Sequence, residues 1–473
     1  MPIKFGTDGW RAVIGDEFTF ANLEIAVQAV CDELHARGTT KKGVAICFDH
    51  RFLAEQFAQR AGEVVAGNGI PVVFSIGADA TPVLSLYLQR HALDLGLILT
   101  ASHNPGDYCG LKLKENFGGS ASPEFTAAVE ARLGKSPVKK SALAAAQSAG
   151  LWQVADLAEG YFETINKLVD INAIKAAGLT LVSDAMHGVA KTRLAQWLSG
   201  GKTRVIAIRA HRDPLFGGVA PEPKEDCLQP LIRQVLDCSA DLGVATDGDA
   251  DRLGIIRPDG SFLPPPLIMA LLANYLLKDR KATGALAITY ANTQYIRQLA
   301  EKYGQPYYEK PVGFKYIAEI MQREPLLIGG EESGGIGLQG YIPERDGILI
   351  ILYFLEMLAK TGKSVEQLLV ELYAEFGPRH FRRVDLKVAP EIGLALAAQI
   401  AKAPPADLFK EKNRVEAADG VKFFFADGSW ILIRQSGTEP KMRLYAEGRT
   451  MAQVDGLLDE AKNFVETRIA ALR

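Results

Sequence analysis

Several absences narrow this 473-residue sequence before any motif is considered. Cysteine is scarce: Cys31, Cys47, Cys109, Cys227 and Cys238 are scattered, odd in number and without C-x-x-C spacing. That excludes a disulfide framework and a cysteine zinc site as the organising feature. Long apolar runs are missing too. The longest, 348-ILIILYFL-355, falls far short of the ~20 residues that cross a bilayer, so no membrane partner is expected. The opening MPIKFGTDGWR carries no apolar h-region, so no secretory signal is expected and a reduced cytoplasmic setting is the default. No charge sign dominates, since 53 Lys and Arg stand against 56 Asp and Glu, net -3. Such a chain has no electrostatic footprint for nucleic acid. A Walker A loop is also lacking: the G-K-[ST] matches at Gly134, Gly201 and Gly362 have no glycine five residues earlier, which removes the main support for an ATP-dependent kinase.

What is present reads as a multidomain α/β protein. Hydrophobic content of 48% with 23% charged residues is ordinary for a globular chain, and the length suggests about three domains. Short β-branched or leucine-rich runs (43-GVAICFD-49, 95-LGLILT-100, 179-LTLVSD-184, 241-DLGVATD-247, 286-LAITYA-291, 326-LLIGGEE-332) alternate with helical stretches such as 21–36 and 54–68. That is the pattern of βαβ units. The stretch 134–150 reads as a loose connection, and 422-KFFFADGSWILIRQ-435 as an antiparallel hairpin before a helix over 451–472. The chain divides into blocks 1–155, 156–262, 263–376 and 377–473: three similar α/β blocks and a smaller α+β block.

Four polar loops could carry chemistry. In 97-LILTASHNPGDYCGLK-112, Ser102 lacks the glycines of a nucleophile elbow. Read alone it is a turn serine beside Asn104 and Pro105, or a hydroxyl at a strand end with His103 and Lys112 near it. A lysine can act as a general base once desolvation lowers its pKa. In 246-TDGDADRLG-254, Asp247, Asp249 and Asp251 alternate, which suits a hard divalent cation. An EF-hand is excluded, because its position-6 glycine is Arg252 and its position-12 glutamate is Pro258. In 329-GGEESGGIGLQG-340 a G-x-G-x-x-G occurs, but 341-YIPERDG-347 reads as a loop where a dinucleotide site needs a helix. Glu331 and Ser333 on that loop can bind sugar hydroxyls. In 434-RQSGTEPKMR-443, Arg434 and Arg443 bracket a Ser-Gly-Thr turn, either a phosphate nest or a plain charged hairpin turn.

Taken together, 5-FGTDGWR-11, TASHNP, DGDADR, GEESGG and RQSGTEPKMR resemble the α-D-phosphohexomutase superfamily, the phosphoglucomutases and phosphomannomutases, in order and over essentially the whole chain. The resemblance implies four domains around a central cleft, three α/β/α domains with mixed sheets and a smaller C-terminal domain. It implies a phosphorylated Ser102, one Mg²⁺ held by Ser102, Asp247, Asp249 and Asp251, and Lys112 as general base supported by Arg11, His103 and Arg252. Lys315, Glu331 and Ser333 would then line the sugar site, and Arg434, Ser436, Gly437, Thr438 and Arg443 would grip the distal phosphate. The expected partner is a small hexose phosphate, with glucose 1,6-bisphosphate as intermediate and activator, on a monomer or dimer. Three positions depart from the pattern: Cys109 stands for the usual Asn, Pro311 for a common Thr, and Gly335 where mannose-type members often carry His. The GEES form resembles the glucose-type enzymes. The leading expectation is therefore a phosphoglucomutase. A glucose-1,6-bisphosphate synthase, a phosphomannomutase or dual-specificity mutase, and a silent phosphosugar-binding protein stand as alternatives.

Overall fold

Strands buried on both faces need continuous apolar sequence, and the runs singled out above supply it. The computed structural model describes residues 3–6, 8–405, 408–437 and 440–472. It divides into two compact units: Met1–Pro265 with Ile317–Pro325 and Ser333–Gly362, and Pro266–Tyr316 with Leu326–Glu332 and Lys363–Arg473.

The first unit holds two mixed sheets. One contains β1 (Trp10–Val13), β2 (Val44–Phe48), β3 (Val72–Ser75), β4 (Leu95–Leu99), β5 (Tyr108–Glu115) and β6 (Trp152–Ala155), ordered β1-β5-β4-β2-β3-β6. The central strands β3, β2 and β4 run parallel, while β5 is antiparallel to both β4 and β1. The second contains β7 (Thr180–Asp184), β8 (Arg204–Ile208), β9 (Leu242–Thr246), β10 (Leu253–Ile256) and β11 (Phe262–Leu263), ordered β11-β10-β9-β7-β8. Helices Phe20–Arg37 and Ala54–Gly67 match the amphipathic stretches expected there. Thr19 caps the first by accepting from the Asn22 amide. The small-residue stretch 134–150 is more ordered than expected, because alanines favour helix: Leu143–Ser148 forms a short one. The apolar run 348–355 lies inside helix Gly347–Thr361, buried on every side and capped by Asp346. Among the described residues no helix is long and apolar enough to cross a membrane.

In the second unit β12 (Ala285–Thr289) lies between β13 (Tyr307–Lys310) and β14 (Leu326–Gly330), parallel to both. The G-x-G-x-x-G stretch falls around β15 (Ile336–Leu338), a strand in the first unit followed by a loop, so it opens no helix. The C-terminal sheet is wholly antiparallel: β16 (His380–Lys387), β17 (Lys412–Glu416), β18 (Val421–Phe425), β19 (Trp430–Gln435) and β20 (Lys441–Gly448), ordered β16-β20-β19-β18-β17. Helices Pro390–Lys402 and Met451–Leu472 pack on it around Leu396, Ile400, Ile431, Leu444 and Val454.

Candidate active site

Strands β2 and β4 are parallel neighbours, so the loops after them leave the sheet side by side, where open α/β sheets place ligands. The loop after β4 carries Ser102, fully buried, with φ of 51°. That left-handed backbone costs a non-glycine residue of order 1–3 kcal/mol and needs surrounding structure to hold it. The turn between β9 and β10 carries the three aspartates. Gly248 lets the two loops meet, since a Cβ there would lie 2.6 Å from the Ser102 carbonyl oxygen.

Ser102 Oγ donates to Asp247 Oδ2 at 2.8 Å and lies 3.3 Å from His103 Nδ1. Asp247 Oδ1 accepts from the amides of Asp251 and Arg252. Asp249 Oδ2 accepts from Thr81 Oγ1 at 2.5 Å and from Lys112 Nζ at 2.7 Å. Lys112 Nζ also reaches Asp251 Oδ2 and Asp8 Oδ2, both at 2.8 Å. Asp247, Asp249 and Asp251 are fully buried, with one oxygen of each within 4.8 Å of the others. Among the described residues, no donor reaches buried Asp249 Oδ1 or Asp251 Oδ1. Clustered hard oxygen donors with lone pairs to spare fit a divalent cation such as Mg²⁺.

The charges are strongly interdependent. Burial, and after it Asp251 and Asp249, push the Asp247 carboxyl well above its ordinary range. Burial works the same way on Asp251, but Arg345 and Lys112 overcome it and hold that carboxyl low. Burial alone would depress the Lys112 ammonium, yet Asp249, Asp251 and Asp8 outweigh it and raise Lys112 above its usual value. Lys112 is thereby held protonated, the opposite of the shift that desolvation alone would give.

The other expected residues fall into two groups. Arg11 Nη1 donates to Asn104 Oδ1 at 3.0 Å and its Nη2 lies 3.6 Å from Asp8 Oδ2; Arg252 Nε is 3.9 Å from Asp251 Oδ1. These join Ser102, His103 and Lys112 in the first unit. Ser333 belongs to that unit as well. Glu331, buried just beyond β14, and Lys315, whose Nζ lies 5.2 Å from the centre of the Tyr316 ring, belong to the second. There Arg434 on β19 stands directly opposite Arg443 on β20, and Arg434 Nε donates to Asp419 Oδ1 at 2.9 Å. The Ser436 amide donates to the Lys441 carbonyl oxygen, which closes the turn, and Gly437 is open to solvent. Thr438 lies outside the described residues.

Cys109 answers differently from its place in the sequence. Cys109, Leu111 and Leu113 join the apolar core cluster, whereas Lys112 and Lys114 alternate with them on β5 and meet carboxylates. Burial pushes the Cys109 thiol far above its usual range.

Sequence reasoning missed several residues of this network. Arg345 Nη2 bridges Asp8 and Asp251 at 2.6 and 2.7 Å, and Lys114 pairs with Glu344, from the segment read only as a loop. Asp49 and Arg51, at the carboxyl end of β2, hold the serine loop: Arg51 donates to the carbonyl oxygens of Ser102, Asn104, Pro105 and Tyr108. The polar triplet 49-DHR-51 directly after a wholly apolar strand was the available signal.

Similarity to known proteins agrees with this arrangement. The chain matches the four phosphoglucomutase/phosphomannomutase domain families in order: alpha/beta/alpha domain I over residues 2–138, II over 159–260, III over 265–376, and the C-terminal domain over 386–463. A phosphoglucomutase/phosphomannomutase of Thermococcus kodakarensis is 30% identical over 472 residues, covering 99% of this chain and 98% of that one. A protein of Methanopyrus kandleri provisionally named a phosphoglucosamine mutase is 27% identical, with 99% of each chain covered. The crystal structure of a provisionally named phosphomannomutase from Thermus thermophilus superposes with a TM-score of 0.86 at 35% identity, covering 98% of this chain and 99% of that one. These names point to different sugars but to one kind of reaction, and they set aside a purely binding role. The chain belongs to the phosphoglucomutase/phosphomannomutase family of the α-D-phosphohexomutase superfamily and is an enzyme of intramolecular phosphoryl transfer.

Proposed function

We propose that the enzyme is a phosphoglucomutase that interconverts α-D-glucose 1-phosphate and glucose 6-phosphate through a phosphoserine at Ser102 and a glucose 1,6-bisphosphate intermediate. The observation that carries this reading is the convergence on Ser102 Oγ: Asp247 within 2.8 Å, the aspartate triplet around it, and Lys112 across two of those carboxylates. Phosphoryl transfer depends on position and charge neutralisation, which is what such a cluster offers. Asp247, Asp249 and Asp251, with the phosphorylated Ser102, would hold one Mg²⁺, which supplies charge neutralisation at the transferring phosphoryl group. His103, Arg11 and Arg252 add positive or donor groups around the same oxygens. Lys112 would act as the general base that takes the proton of the reacting hydroxyl, a role that requires it to release its own proton first, with a cation on the aspartates. Glu331, Ser333 and Lys315 would bind the sugar, while Arg434, Ser436, Gly437, Thr438 and Arg443 take the phosphate that is not reacting.

The glucose preference rests on the Glu331–Ser333 form of the sugar loop and on Gly335 in place of a histidine. Release of the bisphosphate as a product is motivated by Cys109 and Gly335; with Cys109 in the apolar cluster, the mutase is the better-supported reading. The purified protein is expected to turn over glucose 1-phosphate with Mg²⁺ and catalytic glucose 1,6-bisphosphate, faster than mannose or glucosamine phosphates. No turnover of any of the three would refute the proposal, and a preference for mannose or glucosamine would overturn the sugar assignment alone.

A further inference from the structure

Ser102 sits in a backbone region that non-glycine residues rarely enter, and the structure shows what keeps it there. An arginine side chain has five N–H donors. All of those on Arg51, which is itself fully buried, are used. Nε donates to Asp49 Oδ2; Nη1 donates to the carbonyl oxygens of Pro105 and Tyr108; Nη2 donates to those of Ser102 and Asn104 at 2.6 and 2.7 Å. On the amide side, Ser102 N donates to Thr100 Oγ1 at 2.9 Å, and that hydroxyl donates to Asp49 Oδ2 at 2.6 Å. The peptide groups on both sides of Ser102 thus return to one carboxylate at the end of β2.

A second domain closes over this arrangement within the same unit. The Phe216 ring lies 4.9 Å from the Arg51 guanidinium, and Arg212 Nη2 donates to the Arg51 carbonyl oxygen. At Gly106 a Cβ would come within 2.9 Å of Leu215 Cα, so the 212–217 segment rests on the serine loop itself. A side chain placed only to fill the core would need none of these directed bonds. Four carbonyls from residues 102–108 turn towards this one guanidinium, and of these the Pro105 oxygen also accepts from the Tyr108 amide.

We propose that Asp49, Arg51 and Thr100 are positioning residues: a backbone clamp that fixes Ser102 in line for phosphoryl transfer without touching the sugar. The inference rests on the reading that Ser102 carries the phosphoryl group. It implies that loosening the clamp lowers the transfer rate and leaves sugar-phosphate affinity in place.

The test uses the full-length protein with Arg51→Lys, Thr100→Val, Thr100→Ser and Ser102→Ala. For each, kcat and KM for glucose 1-phosphate are measured per folded molecule, together with intact mass after exposure to glucose 1,6-bisphosphate. Arg51→Lys should lower kcat about 100-fold, as expected for a slightly misplaced reactive group, with KM within about threefold. Thr100→Val should lower kcat about tenfold, and Thr100→Ser, which keeps the hydroxyl, should recover most of it. A role confined to stability would lower the melting temperature but leave kcat of the folded protein intact, and that result would overturn the clamp. If Arg51→Lys does not fold, equal kcat for Thr100→Val and Thr100→Ser overturns it. Full activity of Ser102→Ala would instead refute the phosphoserine reading, which separates the two failures.

Discussion

The serine–aspartate cluster and the Arg434–Arg443 turn are both polar sites suited to phosphate, yet they are built in opposite ways. The first is buried, with Ser102, Lys112, Lys114 and three aspartates at 0% exposure, each fixed by several directed bonds. The second lies at the end of a hairpin where Arg434 and Ser436 are buried but Gly437 is exposed with open space around it, and Arg434 donates to Asp419. The contrast separates two tasks. A group that must react is held rigidly before substrate arrives, because misplacement costs rate. On the proposed reading, a group that takes either phosphate of a reorienting sugar works better as a fork of donors beside an open turn.

Four experiments bear on this contrast. The largest effect is expected for Ser102→Ala, which should lower kcat by about 10⁴ or more and abolish the phosphate seen by intact mass. Turnover within tenfold of the parent would break the assignment of chemistry to the buried cluster. Next, Arg434→Ala and Arg443→Ala should each raise KM about 10–100-fold and change kcat only a few-fold, the pattern of lost uniform binding. If kcat fell instead with KM unchanged, the turn would share in the chemistry and the distinction would collapse.

A third, smaller effect should appear in acid. Burial holds the His50 imidazole, whose Nδ1 lies 2.7 Å from the His187 carbonyl oxygen, down at about 4 against 6.5 for a free side chain. Between those values the unfolded chain binds a proton that the folded chain excludes. Stability from this group is therefore complete above pH ~6.5 and lost as pH falls towards 4, by roughly 2–3 kcal/mol at most. Denaturant titrations at pH 7 and 4.5 should show this loss reduced in His50→Asn; parallel losses in parent and variant would show that His50 is not the cause. The smallest effect belongs to Cys109→Ala, which should cost about 1 kcal/mol of stability for the lost core volume and leave kcat within about twofold. A tenfold fall in kcat would return Cys109 to the reacting group.

The sequence exposed the parts of the site that are contiguous. Ser102 with its neighbours, the aspartate triplet and the Arg434–Arg443 turn are each short loops after recognisable strands, and all four sheets follow from runs visible in the chain. The strand YCGLKLKE shows why more was not legible. Alternating lysines in a strand normally mark its solvent face, yet Lys112 and Lys114 are fully buried, because Asp8, Asp249, Asp251 and Glu344 arrive from segments up to 230 residues away. Arg345 was hidden for the same reason, and although the polar triplet 49–51 marked a site, nothing local said that Arg51 would spend its donors on a distant loop. Cys109 lies in the apolar cluster, on the face of β5 opposite Lys112, as alternation along a strand requires.

The facing arginines of β19 and β20 have a consequence for the life of the molecule between turnovers. Like charges opposite one another on neighbouring strands work against a sheet, and here Arg434 donates to the Asp419 carboxylate while Asp385 on β16 stands opposite Arg443. On the proposed reading, each bound phosphate adds to that compensation and lends the C-terminal sheet the free energy of its own binding. The supply of sugar phosphate would then set how long the fold survives as well as how fast the enzyme works, with an idle enzyme the first to unfold.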